Sequence, residues 1–269
     1  MRWAPVVSAS VAPSARQSGN SREPIRRKVR GSVGCSSTDT FARMELTWLG
    51  HATFRLDAGG KRIYIDPFLN GNPKTPENEK TPERVDIIAI THAHGDHLGD
   101  TVELSKQHGC TVIAPVELAD WLQGKHKLEN VRDPNKGGTV DVDGVRFTMT
   151  NAHHSSSNND LEYMGEPCGI VVRADGKSVY FAGDTCVFGD MQLIGRLYSP
   201  DVAVLPIGDH YTMGPEEAAL AVELLGVKRV VPCHWGTFPA LTGTPDALAE
   251  KVGGGVIVER VGPGDTVTI

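Results

Sequence analysis

Ile90-Thr91-His92-Ala93-His94-Gly95-Asp96-His97-Leu98 sets four metal-competent side chains within six positions, His92 to His97, directly after the apolar run Val85-Asp86-Ile87-Ile88-Ala89-Ile90. The run reads as a buried strand, so the polar groups stand at a strand's end. His92 and His94 are two apart and, in extended chain, project to the same side, where they can share one ion. Gly95 permits a sharp turn, and Asp96 and His97 follow it, placed to hold a second ion. A surface loop that happens to be rich in histidine is the competing account. The intact His-x-His-x-Asp-His order after a strand argues against it.

Composition fits a folded domain with many short elements. The chain has 269 residues, 39% of them hydrophobic but only 6% aromatic, with 30 glycines and 17 prolines. That suits one large domain built of short elements and turns rather than long helices. No apolar run approaches the roughly 20 residues that cross a bilayer, so no membrane partner is expected. Five cysteines, at 35, 110, 168, 186 and 233, show no C-x-x-C spacing. They point to a reducing compartment and a cytoplasmic protein rather than to a disulfide framework. The net charge of −6 divides into +6 over residues 1–43 and −12 over the remainder. An acidic body without a basic stripe is poorly suited to nucleic acid.

Residues 1–43 are rich in Ser, Arg and Pro and lack hydrophobic periodicity, as expected of a disordered basic extension. An organelle transit peptide would make the protein organellar. Met44, directly before the first strand pattern, favours an extension ahead of a second start. Residues 44–269 then form the functional domain. Glu45–Leu49, Thr53–Asp57 and Arg62–Asp66 read as a strand meander, and Asn70–Arg84 as a long loop. Asp100-Thr101-Val102-Glu103 has the form of a capping box opening a helix that ends near Gly109, and a second short helix is expected from Pro115 to Leu122. Strands are expected at Thr111–Ala114, Thr139–Val142, Val145–Thr150, Gly169–Arg173, Ser178–Phe181, Val202–Pro206 and Val227–Pro232. Gly214-Pro215-Glu216-Glu217 opens a helix through Leu225, Thr244–Val252 gives a last helix, and Val256–Ile269 a terminal strand pair. No internal repeat is visible. The expected class is α+β, with two sheets packed face to face and helices outside.

Three further polar groups stand just past apolar runs: His153-His154-Ser155, Gly183-Asp184-Thr185 and Cys233-His234-Trp235. With the opening motif, their order resembles the metallo-β-lactamase superfamily over Met44–Ile269. Trp48-Leu49-Gly50-His51-Ala52-Thr53-Phe54, Asp66-Pro67 and Tyr211-Thr212-Met213-Gly214-Pro215 resemble its branch of small metal-dependent hydrolases, related to ascorbate-6-phosphate lactonase. The resemblance implies a four-layer αββα sandwich of two mixed sheets, and a site for two divalent ions. Zinc suits such ligands, with manganese, nickel or iron as further options. By the same resemblance the first ion falls to His92, His94 and His154, the second to Asp96, His97 and His234, with Asp184 bridging. His154 is preferred over His153 because the family's ligand is usually followed by Ser or Thr, here Ser155. The branch with a redox di-iron centre carries Glu where this chain has His94, which disfavours oxygen or nitric oxide reduction.

Two such ions lower the pKa of shared water toward about 7, giving hydroxide at neutral pH, and stabilise a developing oxyanion. Asp96 is expected to orient that nucleophile. Other assignments have a structural rival. His51 either lines the site or caps a turn. Asp66 either hydrogen-bonds a ligand histidine or makes an Asp-Pro turn. His210 and Thr212 either meet substrate or form the entry to the helix at Gly214. Cys186 and Cys233 read as buried small hydrophobes. The expected function is hydrolysis of a small-molecule ester, lactone, amide or thioester. Phosphodiester hydrolysis of a small nucleotide or phospholipid is the second reading, metal binding without turnover the third. Self-association into a homo-oligomer stays open.

Overall fold

The computed structural model describes residues 43–269, so the extension expected over 1–43 lies outside the described residues except for Arg43. The chain runs through β1 (Glu45–Trp48), β2 (Phe54–Ala58), β3 (Lys61–Ile65), β4 (Ile87–Ala89), α1 (Gly95–Leu98), α2 (Thr101–His108), β5 (Thr111–Ile113), α3 (Val116–His126) and β6 (Val131–Arg132). It continues through β7 (Thr139–Val142), β8 (Val145–Asn151), β9 (Cys168–Ala174), β10 (Lys177–Phe181), α4 (Met191–Tyr198), β11 (Val202–Pro206), α5 (Pro215–Leu225), β12 (Arg229–Cys233), α6 (Pro245–Ala249), β13 (Ile257–Val258) and β14 (Thr266–Thr268).

Two mixed sheets of seven strands result, in the orders β14-β1-β2-β3-β4-β5-β6 and β13-β12-β11-β10-β9-β8-β7. Three of the antiparallel pairings, β2–β3, β7–β8 and β9–β10, are closed by two-residue turns: Gly59-Gly60, Asp143-Gly144 and Asp175-Gly176 all have positive φ at both positions, as a type I′ hairpin requires. Strand alternation then builds the layers. Phe54 and Leu56 of β2 pack with Phe147, Met149, Ile170 and Phe181 between the sheets, and the rings of Phe54 and Phe181 meet edge-on at 5.8 Å. Truncating such a residue to Ala costs about 3–5 kcal/mol. All of β11 is buried: Val202 and Val204 face the other sheet, Ala203 and Leu205 face α4, α5 and α6. Helices α2 and α3 cover the first sheet in the same way, through Leu104, Leu118 and Leu122. The fold is therefore the four-layer αββα sandwich. Among the described residues no helix is long and apolar enough to cross a membrane.

Four local expectations change. Asp100 does not cap α2 with its side chain; its carboxylate instead accepts the backbone N–H groups of Leu69 and Asn70 at 2.7 and 3.0 Å, fixing the chain after β3. The last helix stops at Ala249. Val256–Ile269 is not a strand pair: β13 joins β12 in the second sheet and β14 joins β1 in the first, because each sheet offers an open edge there. Helix α4 has no counterpart in the sequence reading. Gly195 weakens its helical pattern, and the glycine is needed because a Cβ there would lie 2.1 Å from the Leu225 carbonyl oxygen of α5.

Candidate metal centre

The first sheet delivers one side of the centre from a single loop. His92 follows β4, His94 is the N-cap of α1, and Asp96 and His97 lie in its only turn. His92 and His97 are completely buried, while His94 and Asp96 are half-buried. The second sheet delivers the other side one residue at a time: His154 after β8, Asp184 after β10 and His234 after β12. Gly183, with φ +64, brings the Asp184 segment against Thr91; a Cβ there would lie 2.9 Å from the Thr91 Cβ. Gly208 likewise lies so close to the His234 carbonyl that a Cβ on it would be 2.0 Å from that oxygen.

These side chains converge. The ligand-capable atoms of His92, His94 and His154 form one group within 4.8 Å of one another, and those of His51, Asp96, His97 and His234 form a second. Asp184 lies between them, its Oδ2 at 3.3 Å from His97 Nε2, 3.2 Å from His234 Nε2 and 3.6 Å from His154 Nε2. Buried polar atoms normally have partners. Here His97 Nε2, His234 Nε2 and Asp184 Oδ1 are buried without a hydrogen bond, and all are metal-ligand atoms. Imidazole nitrogens and carboxylate oxygens in this number fit divalent cations such as zinc.

Asp66 sets the tautomers. Its carboxylate accepts the Thr91 backbone N–H at 2.8 Å and the Thr91 hydroxyl at 2.7 Å, and it lies 2.8 Å from His97 Nδ1. With that hydroxyl donating to Asp66, the 2.9 Å contact from His92 Nδ1 to Thr91 Oγ1 requires His92 to donate. His92 and His97 thus both carry a proton on Nδ1 and turn Nε2 toward the centre, the usual outer support of a ligand histidine. Thr91 was not singled out from sequence, since threonine is common in strands; its place one residue before His92 is the only signal.

The electrostatics follow from burial and crowding. Burial holds the His92 pKa well below the usual imidazole value. Burial opposes charge on His97 too, but Asp184 and Asp66 outweigh it and raise its pKa. Burial would likewise protonate Asp184, yet His234 and His97 keep it ionised, well below the usual carboxylate value.

His51 lines the centre and is fully buried. Its Nε2 lies 2.9 Å from Asp96 Oδ2, and its ring centroid is 4.0 Å from that of His234. Its carbonyl oxygen accepts both the His234 backbone N–H and the Trp48 indole N–H at 2.9 Å. His51, Asp66 and His234 all have positive φ, a costly backbone state for these residues that recurs at functional sites.

His153, the alternative to His154 and otherwise a neighbouring pocket or packing residue, stays out of the centre, as do His210 and Thr212. His153 is exposed; its ring stacks on Phe188 at 4.6 Å, and it contacts Asn151. Adjacent residues in extended chain point opposite ways, and His154 takes the inward side. His210 is exposed, packed edge-on against Tyr211 at 4.4 Å, and neither it nor Thr212 lines the cavity over the centre. Asp209 and His210 both have positive φ, and of this segment it is Tyr211 that lines the cavity. Cys233 is buried as expected, but Cys186 is exposed. The cavity itself, about 930 Å³, is lined by His51, His94, Asp96, His154, Asp184 and His234, by Tyr211 of the motif that precedes α5, and by Leu161 and Phe238, which no sequence pattern singles out.

The family described as "Beta-lactamase superfamily domain" matches residues 61–235. A UPF0173 metal-dependent hydrolase of Koribacter versatilis is 47% identical over 228 residues, spanning 83% of this chain and 97% of that protein. Another, from Rubrobacter xylanophilus, is 49% identical over 229 residues, spanning 82% and 94%. Among solved structures, Igni18, a metallo hydrolase from the archaeon Ignicoccus hospitalis, is similar at TM-score 0.76 and 38% identity, with 84% of this chain and 98% of that one covered.

Proposed function

The chain belongs to the β-lactamase superfamily and is one of its metal-dependent hydrolases, and on that premise we propose that it cleaves an ester, lactone, amide or thioester bond of a small molecule with two divalent ions, zinc foremost. His92, His94 and His154 would hold one ion, Asp96, His97 and His234 the other, and Asp184 both. The observation that carries this is the pair of adjoining ligand groups with Asp184 between them, open on one side to a cavity. Ions held there supply Lewis acidity, polarising the bond attacked and acidifying water near neutral pH.

The chain's own residues do the rest. Asp184 is buried and surrounded by histidines, so its negative charge serves the centre electrostatically. Asp96 is the more accessible carboxylate, with a third of its side chain exposed. It faces the cavity and can orient the attacking water. His51 fixes Asp96 from behind, and Asp66 with Thr91 keeps the His92 and His97 rings in one tautomer. His210 is left out of the catalytic group, since its side chain stands apart from the cavity.

We place the activity in the cytoplasm, in a domain spanning 44–269, on a small-molecule substrate without nucleic acid or membrane as partner. The cysteine usage and the −12 charge of that domain support this. The test is metal analysis joined to a substrate comparison: p-nitrophenyl esters and simple lactones against bis(p-nitrophenyl) phosphate. About two ions per chain and turnover of the carbonyl substrates are expected under the two-site scheme. Preferential turnover of the phosphodiester would transfer the assignment to phosphoryl chemistry.

A further inference from the structure

Leu161 is the most exposed large hydrophobic side chain of the described residues, at 85%, and it lines the same cavity as the metal-ligand groups. It is no floppy loop residue. Ser157 pairs with Tyr163, and Met164 N–H donates to the Ser156 carbonyl at 3.1 Å. Asn158 ties the tip together: its side-chain oxygen accepts the N–H groups of Asp160 and Glu162 at 3.0 and 2.9 Å. The result is a self-bonded hairpin with Leu161 at φ +62. Asn, Asp or Gly suits that backbone state better than leucine, and the side chain gains little from burial there. Folding alone gives no reason for a leucine at this position.

Phe238, 38% exposed, and Tyr211, 59% exposed, line the same cavity. Phe238 packs edge-on to His51 at 5.4 Å, which joins this wall to the reacting centre. Exposed apolar side chains gathered on one cavity mark a surface made for a ligand. The charge pattern limits which ligand. Among the described residues no Lys or Arg lines the cavity, and its carboxylates are Asp96 and Asp184. A phosphate or carboxylate on the non-reacting part of a substrate would therefore be desolvated without a cationic partner. The resemblance to phosphate-bearing lactone substrates does not extend to this wall.

We propose that the substrate carries, beside the bond hydrolysed, an uncharged apolar arm, an acyl chain or a ring, received by Leu161 on the hairpin together with Phe238 and Tyr211. This rests on the carbonyl-hydrolase reading above and narrows it. Two series on the metal-loaded full chain test it. The first compares kcat/KM for p-nitrophenyl acetate, hexanoate and succinate monoester. The second compares binding of hexanoate, acetate and succinate by calorimetry, without any turnover. Hexanoyl is expected to exceed both acetyl and succinyl by about tenfold or more in each series, since each buried methylene contributes severalfold. In the double variant Leu161→Ala/Phe238→Ala the hexanoyl-to-acetyl ratio should fall by about tenfold, through KM. Leu161→Lys, at an exposed position that folding does not need, should raise succinyl relative to hexanoyl. A wild-type preference for the succinyl arm, or a hexanoyl preference untouched by both variants, overturns the proposal. Arm preference in binding without turnover of any ester would instead overturn the reaction and leave the apolar wall standing.

Discussion

Counted from β14 to β6, the first sheet makes three antiparallel pairings and then three parallel ones; counted from β7 to β13, the second sheet does the same. By that count β1 corresponds to β8, β3 to β10 and β4 to β11. The site residues respect the correspondence in part. His51 follows β1 and His154 follows β8; Asp66 follows β3 and Asp184 follows β10. The two halves part company after β4 and β11. One loop bears His92 to His97, all turned to the centre, whereas the other bears Asp209 and His210, both exposed. A repeated scaffold brings strand ends to one rim, and the loops at equivalent ends are then free to carry ligands or to carry none.

The largest effect separates the two aspartates. Asp184→Asn removes the negative charge that three histidines surround, and hydrolysis should fall about 10³-fold, the equivalent of about 4 kcal/mol in the barrier. Metal analysis should show at least one ion lost. Asp66→Asn keeps the shape but weakens the hold on His97 and Thr91, so metal affinity should drop about 10–100-fold with stoichiometry recoverable at high metal. Were Asp66→Asn as damaging as Asp184→Asn, and not rescued by metal, the two halves would share the ligand role that the distances assign to one of them.

His51 and His154 give the next contrast. His154→Ala should remove a ligand of the three-histidine group and with it one ion. His51→Ala should keep both ions and lower kcat about tenfold, because Asp96 loses its partner rather than the centre a ligand. Loss of an ion in His51→Ala, read by metal analysis, would place His51 among the ligands of the second group, in which its ring already stands.

How much of this was legible follows the same division. The β4 loop announces itself because four ligand-capable groups fall within six residues after an apolar run. His154, Asp184 and His234 are single polar residues after single strands, a pattern that Asp209-His210 reproduces without joining the centre. Only their order along the chain, by resemblance, told them apart. The strand meander and the parallel alternation with helices were likewise readable from local pattern. The pairing of β13 and β14 with different sheets was not, since a short apolar run does not encode which open edge it meets. The Leu161 hairpin and Phe238 lie on separate loops, and no periodicity connects side chains that share only a cavity.

The smallest expected effects sit on the histidines the fold leaves aside. His153 stacks on Phe188 and His210 meets Tyr211 edge-on, and neither lines the cavity. His153→Ala and His210→Ala should each leave metal content unchanged and shift kcat/KM by less than about threefold, since surface changes away from a site rarely exceed 0.5 kcal/mol. The pair sharpens the comparison between the halves. His153 adjoins His154, so a large effect there would mean that the backbone turn after β8 is held by the Phe188 contact. His210 occupies the loop equivalent to the one bearing His92 to His97, so a large effect there, with metal content intact, would show the β11 loop closing over bound substrate. The two outcomes are told apart by rescue: His153→Phe retains a ring to stack on Phe188 and should restore the first, whereas His210→Phe cannot replace an imidazole that touches substrate.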